Sequence, residues 1–166
     1  IYLNFKNYDI IMKKHYTLAA IFFVLQFSFG QIVNIPDANF KNALLNHSPV
    51  IDTNDDGEIQ VSEANNFFSV IEVVNKGIND LTGIEAFVNV LEINCYANNL
   101  TSVNLTSNTS LEVLKIIHND LTQIDLSQNV NLIEFWGNFN EFTTLDFSEN
   151  INLELITVPY CYSLNS

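Results

Sequence analysis

Acidic and amide side chains alternate in one short loop of the chain. Residues 52–63 read DTNDDGEIQVSE and place Asp52, Asn54 and Asp56 at every second position, followed by Gly57 and, at the end, Glu63. Oxygen-bearing side chains at this spacing suit a hard cation, above all calcium. A solvated acidic loop without metal is the alternative, but its carboxylates would repel one another unless something neutralised them. The loop is therefore a candidate metal site.

The spacing D-x-N-x-D-G-x5-E resembles the EF-hand calcium loop. The resemblance implies side-chain oxygens, one backbone carbonyl and a terminal carboxylate as ligands of Ca2+. In this chain those ligands are Asp52, Asn54, Asp56, the carbonyl of Glu58, and Glu63. One departure is that the preceding helix, capped by Asp37, ends before Pro49 instead of running into the loop. We therefore expect calcium in a structural role, within a small helical cap formed by residues 31–70.

A repeat of 21 residues follows the cap. Its units are VLEINCYANNLTSVNLTSNTS from Val90, then LEVLKIIHNDLTQIDLSQNVN, LIEFWGNFNEFTTLDFSENIN and the partial LELITVPYCYSLNS. Apolar residues recur in columns, namely Val90, Leu111, Leu132 and Leu153; Ile93, Leu114, Phe135 and Ile156; and Leu100, Leu121 and Phe142. Such self-similarity is typical of a coil whose units bury their apolar edge only against the next unit.

The pattern LxxLxLxxNxL, as in LEVLKIIHNDL at residues 111–121, resembles the leucine-rich repeat family. The chain is similar to secreted bacterial members with short repeats. The resemblance implies a repeat solenoid, a right-handed coil with a parallel β-sheet that is mostly β and loop, with 3₁₀ or extended segments on its convex side. Because the fourth unit is incomplete and has no polar cap, we expect residues 71–166 to be the front part of a longer coil.

Inside the coil, alternation predicts that Leu114 and Ile116 point inward. Gly137 interrupts the inward column of Cys95 and Ile116 and is expected to loosen the packing there. Two columns of asparagines are expected to bond backbone groups freed by the turns, at Asn98, Asn119 and Asn140 and at Asn108, Asn129 and Asn150. Cys95 and Cys161 lie three turns apart, roughly 14 Å at the parallel strand spacing, which is too far for a disulfide. Cys95 is expected to be a buried free thiol.

The outward positions of the strands are expected to line the concave surface of the coil. Aromatic, histidine and lysine side chains there form the candidate partner-binding set, which consists of Tyr96, Lys115, His118, Trp136, Phe139 and Tyr160. Exposed aromatic residues mark a partner surface because they bury a large area at low entropic cost. The alternative is that these rings pack under a loop or against a second copy of the chain.

The N-terminal residues predict export. Residues 12–30 begin with Met12, Lys13 and Lys14, continue with a short apolar run and end in small residues, which is typical of a cleaved secretory signal peptide. The run is too short to span a membrane, so no transmembrane segment is expected in the mature chain. Residues 1–11 have no place in a signal peptide and are interpreted as a spurious upstream extension. The expected location is outside the cell, either secreted or on the cell surface.

Composition narrows the function further. The formal charge is −13 and there is no arginine, so nucleic acid is excluded as a partner because its phosphates would be repelled. The repeats contain no paired carboxylates, histidine–cysteine arrangement or phosphate-binding glycine loop. The favoured hypothesis is a non-enzymatic recognition or adhesion module that binds a protein or glycan on its concave face. The alternative is the targeting part of a larger secreted enzyme, such as a hydrolase, with its catalytic domain beyond residue 166.

Overall fold

A parallel five-stranded sheet runs through the repeats. In this computed structural model, which describes residues 30–158, the sheet has the strand order β1-β2-β3-β4-β5. The strands are β1 (Val70–Glu72), β2 (Glu92–Asn94), β3 (Val113–Lys115), β4 (Glu134–Trp136) and β5 (Leu155–Thr157). Two helices, α1 (Ala38–Leu45) and α2 (Val61–Asn65), precede the sheet, and a 3₁₀ turn (Ile84–Ala86) lies between β1 and β2. We call residues 31–69 the cap and residues 70–158 the coil.

Equivalent residues of successive repeats lie side by side in the sheet. Ile93 pairs with Leu114, Leu114 with Phe135, and Phe135 with Ile156. The middle residue of each strand is fully buried from β1 to β4, while its two neighbours face outward and are partly or fully exposed. In β5 the middle residue, Ile156, is 45% exposed. The predicted solenoid with a parallel sheet and the 21-residue register are therefore confirmed.

The buried columns match those expected from the sequence. Leu111 and Leu132 pack behind the strands, and Leu100, Leu121 and Phe142 pack beyond their ends, all at most 1% exposed. The second half of each repeat consists of turns and extended backbone, and residues 90–158 contain no α-helix. This confirms the expectation of short, non-helical segments on the side opposite the sheet.

The asparagines that follow the strands bond backbone atoms of neighbouring turns. The Asn119 amide nitrogen donates to the carbonyls of Cys95 and Ile116, both at 3.1 Å, and its oxygen accepts from the Leu100 N–H at 3.0 Å. Asn98 and Asn140 make the equivalent bonds. These amides replace hydrogen bonds that the backbone loses where each strand ends.

The second asparagine column uses only half of each amide. The amide nitrogens of these asparagines each donate to two carbonyls of the preceding turns, whereas none of their side-chain oxygens has a hydrogen-bond partner; the residues are Asn108, Asn129 and Asn150. All three side chains are buried. Both columns were predicted to bond freed backbone groups, and the structure confirms this for both while showing that they differ in acceptor use.

The expectation of loose packing at Gly137 is wrong. A Cβ atom added at Gly137 would lie 2.5 Å from Cε1 of Phe135 and 3.1 Å from Cε2 of Phe142. The two phenylalanine rings, whose centroids are 6.1 Å apart, therefore fill the space that a side chain would have occupied. Glycine is needed here because the neighbouring aromatic residues are large. Cys95, in the same inward column, is buried and free as predicted, and burial raises the pKa of its thiol to about 12.

The cap is joined to the coil by contacts that each occur once. Asp37 begins α1 by accepting the N–H groups of Asn39 and Phe40 through one carboxylate oxygen. Its other oxygen accepts the N–H groups of Asn79 and Asp80, which lie beyond β1. The apolar face of α1 buries Phe40, Ala43 and Leu44. The helix start predicted at Asp37 is confirmed, and the helix ends before Pro49 as expected.

The chain divides into two compact units, residues 1–31 and 32–166, and only residues 30 and 31 of the first are described. The interpretations of residues 1–11 as an extension and of the segment starting at Met12 as a signal peptide lie outside the described residues, as do Tyr160 and Cys161. Across residues 30–158 no helix combines the length and apolar character that a membrane crossing requires.

Candidate binding face and metal loop

A left-handed backbone conformation follows β1 to β4 in every turn. Asn75, Ala97, His118 and Phe139 have φ values of 53°, 57°, 53° and 56°. The conformation lets the chain leave the sheet while the following asparagine points inward, as at Asn119. Only glycine adopts it freely, and for a bulky residue such as phenylalanine it is a true outlier.

Three of the predicted partner-binding residues form what we call the aromatic row, namely Tyr96, His118 and Phe139. The His118 and Phe139 rings are stacked, with centroids 4.1 Å apart and planes 5° from parallel. The Tyr96 ring contacts His118 from the preceding turn in a T-shaped arrangement at 5.5 Å. All three side chains are exposed, Tyr96 by 38% and Phe139 by 46%. The row is a preformed apolar strip at the ends of the strands.

Lys115 and Trp136 lie beside the row on the outward face of the sheet, where they pair in register across β3 and β4. Each is held by a carboxylate: Lys115 Nζ lies 2.6 Å from Glu92 Oε1, and Trp136 donates its indole N–H to Glu134 at 2.9 Å. Both side chains are partly buried. The structure thus brings five of the six predicted residues onto one surface, which we call the sheet face; Tyr160 is outside the described residues.

The acidic loop is organised around its first and last carboxylates. Asp52 is 9% exposed and accepts the N–H groups of Asp56 at 3.3 Å and Gly57 at 3.0 Å. Glu63 accepts the N–H groups of Thr53 at 2.7 Å and Gln60 at 3.0 Å, one with each oxygen. These backbone bonds close the loop on itself, and Gly57, with φ of 79°, allows the turn between them.

Amide nitrogens surround the third predicted ligand. Asp56 accepts from Gln60 Nε2 at 2.9 Å and from Asn54 Nδ2 at 3.0 Å. The N–H of Glu58, then the Gln60 and Asn54 amides, hold the pKa of the Asp56 carboxyl below its ordinary value. In this arrangement no three acidic, histidine or cysteine side chains of residues 30–158 lie together closely enough to hold one ion. The partial positive charges of the two amides take the place next to Asp56 that a cation would occupy.

The loop is anchored on three sides. Ile59 is fully buried and its carbonyl accepts the Val33 N–H at 2.8 Å. Lys41, on α1, forms a 2.6 Å ion pair with Glu58. Asp55 is exposed. The loop therefore connects the start of the described chain, α1 and α2, although the assignment of calcium to it stays a prediction.

His47 is a polar residue that the sequence did not single out. It is buried, its Nε2 accepts the Glu72 N–H of β1 at 2.9 Å, and its Nδ1 lies 2.9 Å from the Pro49 carbonyl. These two contacts require a neutral ring with its proton on Nδ1. His47 borders a cavity of about 300 Å³ between α1 and β1, together with Asn42, Asn46, Glu72 and Lys76. No spacing in the sequence could have indicated a contact that is made only once.

Solved structures of other proteins resemble the chain over about three-quarters of its length. The functional domain of InlJ from Listeria monocytogenes, which includes a cysteine ladder, is 28% identical with a TM-score of 0.65, over 76% of this chain and 28% of that one. The chain shares the leucine-rich repeat fold of these structures. An internalin (inlF) from Listeria monocytogenes matches at 19% identity and TM-score 0.63, over 79% of this chain and 46% of its own.

An internalin C2 from the same species matches at 17% identity and TM-score 0.57, over 77% of this chain and 67% of that chain. No protein-family model and no curated protein matches the chain. By these coverages, the chain spans less than half the length of the InlJ domain and of the inlF structure. Cysteine does not form a column in the described turns, because the equivalents of Cys95 in the next two repeats are Ile116 and Gly137.

Proposed function

We propose that the chain is a non-enzymatic recognition module that acts outside the cell and binds a protein or a glycan through the sheet face. The observation that carries this proposal is the aromatic row, three rings in contact with one another and exposed at the ends of successive strands. A monomer has no folding reason to present these rings together, since each would gain free energy by burial. Burial of the three rings against a partner would supply this free energy.

The geometry of the row favours binding over a folding role. His118 and Phe139 hold a left-handed backbone that disfavours their side chains by about 1–2 kcal/mol each. Glycine or asparagine at these positions would suit the turn better. Because the rings are fixed by stacking and the backbone by the sheet, little side-chain entropy is lost when a partner arrives. The similarity to internalin structures supports the leucine-rich repeat framework on which this surface is built.

The experiment compares two triple variants of the full chain. The row variant carries Tyr96→Ser, His118→Ser and Phe139→Ser. The control carries Thr101→Ser, Thr122→Ser and Thr143→Ser, an exposed column with the same repeat period. Each is applied to arrays of purified extracellular proteins and of glycans. We expect the row variant to lose at least about tenfold in affinity for any ligand, equivalent to about 1.4 kcal/mol, while the control binds as wild type. Equal binding by the two variants, or no ligand on either array, would overturn the proposal.

We further infer that residues 52–63 hold a structural Ca2+. The donor set is suitable because Asp52, Asp56 and Glu63 are hard carboxylates and the Asn54 side chain and Glu58 carbonyl add neutral oxygens. Asp52 is buried in this acidic loop, and a buried carboxylate near others is stabilised by a cation. The ion would replace the amide nitrogens of Asn54 and Gln60 as the positive partners of Asp56. It would tie α1, α2 and the segment around Val33 into one cap.

Calcium binding is tested by thermal unfolding of the full chain with Ca2+ or chelator. Calcium should raise the melting temperature, because an ion that binds only the folded state stabilises it. Glu63→Gln should abolish the rise while keeping an acceptor for the Thr53 N–H. The matched control is Asp55→Asn, in the same loop but exposed, which should retain the rise. An identical melting temperature with calcium and with chelator in the wild type would contradict the assignment.

A further inference from the structure

The sheet face carries a strong excess of negative charge. Glu72, Glu92 and Glu134 occupy outward strand positions, whereas Lys115 is the one cation on strands β1 to β5. Lys115 is already paired with Glu92. Glu134 accepts only from the neutral Trp136 indole among the described contacts. Two carboxylates on this face therefore lack a cationic partner in the described residues, where the salt bridges are Lys41–Glu58 and Lys115–Glu92.

Further carboxylates flank the face on both sides. Asp120 and Glu141 are exposed and follow His118 and Phe139 by two residues in successive turns. On the other side, Glu112 precedes β3 and Glu154 precedes β5, and both are exposed. The aromatic row thus lies between lines of negative charge. The charges at the two ends of the strands add to the negative potential over the sheet face between them.

We propose that the partner of the sheet face is a basic protein segment, rich in lysine and arginine. This inference rests on the proposed function and names the chemistry of its ligand. The aliphatic stems of lysine and arginine pack on apolar surface while their charged ends reach polar groups. On this face the stems lie along the aromatic row and the charged ends meet Asp120, Glu141, Glu72 and Glu134. A guanidinium over the Trp136 ring gains a cation–π contact as well.

The arrangement of the rings favours such a segment over a glycan. A sugar stacks on an open aromatic face, but the His118 ring is stacked on Phe139 on one side and contacted by Tyr96 from the preceding turn. Within the row, His118 therefore offers little open ring face on which a sugar could stack. Sulfated and phosphorylated polymers are repelled by the same carboxylates that attract lysine and arginine.

The test uses three synthetic peptides with one apolar sequence and either lysine and arginine, glutamine, or glutamate at the same positions. Each is titrated into the full chain and followed by fluorescence of Trp136, the single tryptophan, and by calorimetry. We expect the basic peptide to bind at least about tenfold tighter than the glutamine peptide. Its affinity should fall with added salt because exposed charges are screened. The glutamate peptide should not bind.

Two double variants separate local attraction from net charge. Asp120→Asn with Glu141→Gln removes two charges beside the row and should weaken the basic peptide about tenfold. Asp125→Asn with Glu149→Gln removes two exposed charges that border a cavity on the second half of the repeats. This control should bind as wild type. Equal losses in the two variants would show non-specific attraction by an acidic protein and would overturn the inference.

The outcomes also distinguish this inference from the proposed function. If the glutamine peptide binds as tightly as the basic one, and the row variant loses both, the sheet face is a binding surface but its partner is not basic. If only a glycan binds and the row variant abolishes that binding, the inference fails in the same way. If the row variant binds every peptide as wild type does, both fail.

Discussion

The cap and the coil are stabilised by polar contacts of two different kinds. In the coil, Asn98, Asn119 and Asn140 make equivalent bonds to the backbone, once per turn. In the cap, each polar contact with the coil occurs once: Asp37 to the N–H groups beyond β1 and His47 to the N–H of Glu72. Loss of one coil contact leaves its equivalents in place, whereas a cap contact has no repeated equivalent.

The difference predicts where the molecule is vulnerable. A repeat array is stabilised by its own units and by the interfaces between neighbours, so a change in one turn acts on that turn and the two beside it. The cap shields the apolar edge of β1 and is connected through a few side chains. We expect coil substitutions to have large local effects that are similar from turn to turn, and cap substitutions to have effects specific to each contact.

The largest effect is expected for Asn119→Asp. A carboxylate cannot donate to the carbonyls of Cys95 and Ile116 that now accept from the amide, and it would place an unpaired charge in a buried site. The free energy of unfolding should fall by about 3–5 kcal/mol, measured by urea denaturation. Asn140→Asp should cost a similar amount if the turns are equivalent. The control Asn104→Asp, at an exposed position whose side-chain oxygen accepts from Thr106 and can still do so as a carboxylate, should change it by less than about 0.5 kcal/mol.

A smaller effect is expected for His47→Ala. The substitution leaves the Glu72 N–H without its acceptor and opens space beside Phe67, which the imidazole contacts at 5.6 Å between ring centroids. We expect a loss of about 2–3 kcal/mol in the same assay. His118→Ala provides the matched control, since this histidine is exposed and should affect binding but hardly stability. Equal losses for the two histidines would mean that His47 does not connect the cap to the coil.

The smallest effect, and one that depends on pH, is expected for Asp37→Asn. Burial tends to raise the Asp37 pKa, but four backbone N–H groups outweigh this and lower it. A carboxyl with a lowered folded-state pKa stabilises the fold above its unfolded-state pKa, near about 4, and loses that contribution as the pH falls through the folded-state value. At neutral pH the variant should be less stable by about 0.5–1.5 kcal/mol, because an amide nitrogen in place of the second carboxylate oxygen cannot accept the N–H groups of Asn79 and Asp80.

The gap between wild type and Asp37→Asn should then close at acidic pH, because protonation gives the wild type a similarly neutral side chain. Urea midpoints measured from neutral to strongly acidic pH provide the readout. A gap that stays constant across this range would show that the Asp37 charge contributes nothing to the junction of cap and coil.

The structure of the coil could be predicted from the sequence because each repeat shows the same pattern. A column such as Ile93, Leu114, Phe135 and Ile156 reports the same packing position four times, so its inward direction and its strand register could be predicted. The hydrogen bonds of the asparagine columns to the backbone could be predicted for the same reason. The Asp37 N-cap was found from a local rule that needs no repetition.

Other features of the structure could not be predicted, because no repeated sequence pattern indicates them. The contact of His47 with Glu72 joins residues 25 apart in sequence and occurs once, and nothing in their spacing indicates it. The packing of Phe135 over Gly137 depends on ring orientation, which column alignment does not give. The left-handed positions had one signal: Asn75 aligns with Ala97, His118 and Phe139, and asparagine and histidine are enriched in this conformation. In the acidic loop the sequence predicted the candidate ligands but not the amides that face Asp56.

The left-handed positions at the strand ends have a consequence for how this surface can change. Replacing Phe139 by glycine would relax the backbone by about 1–2 kcal/mol and would also delete a ring from the row. Selection for stability alone would therefore remove the recognition surface first. Conversely, no side chain at these sites contributes to the core. A library varied only at residues 97, 118 and 139 would therefore redirect the module to new targets while its interior stayed untouched.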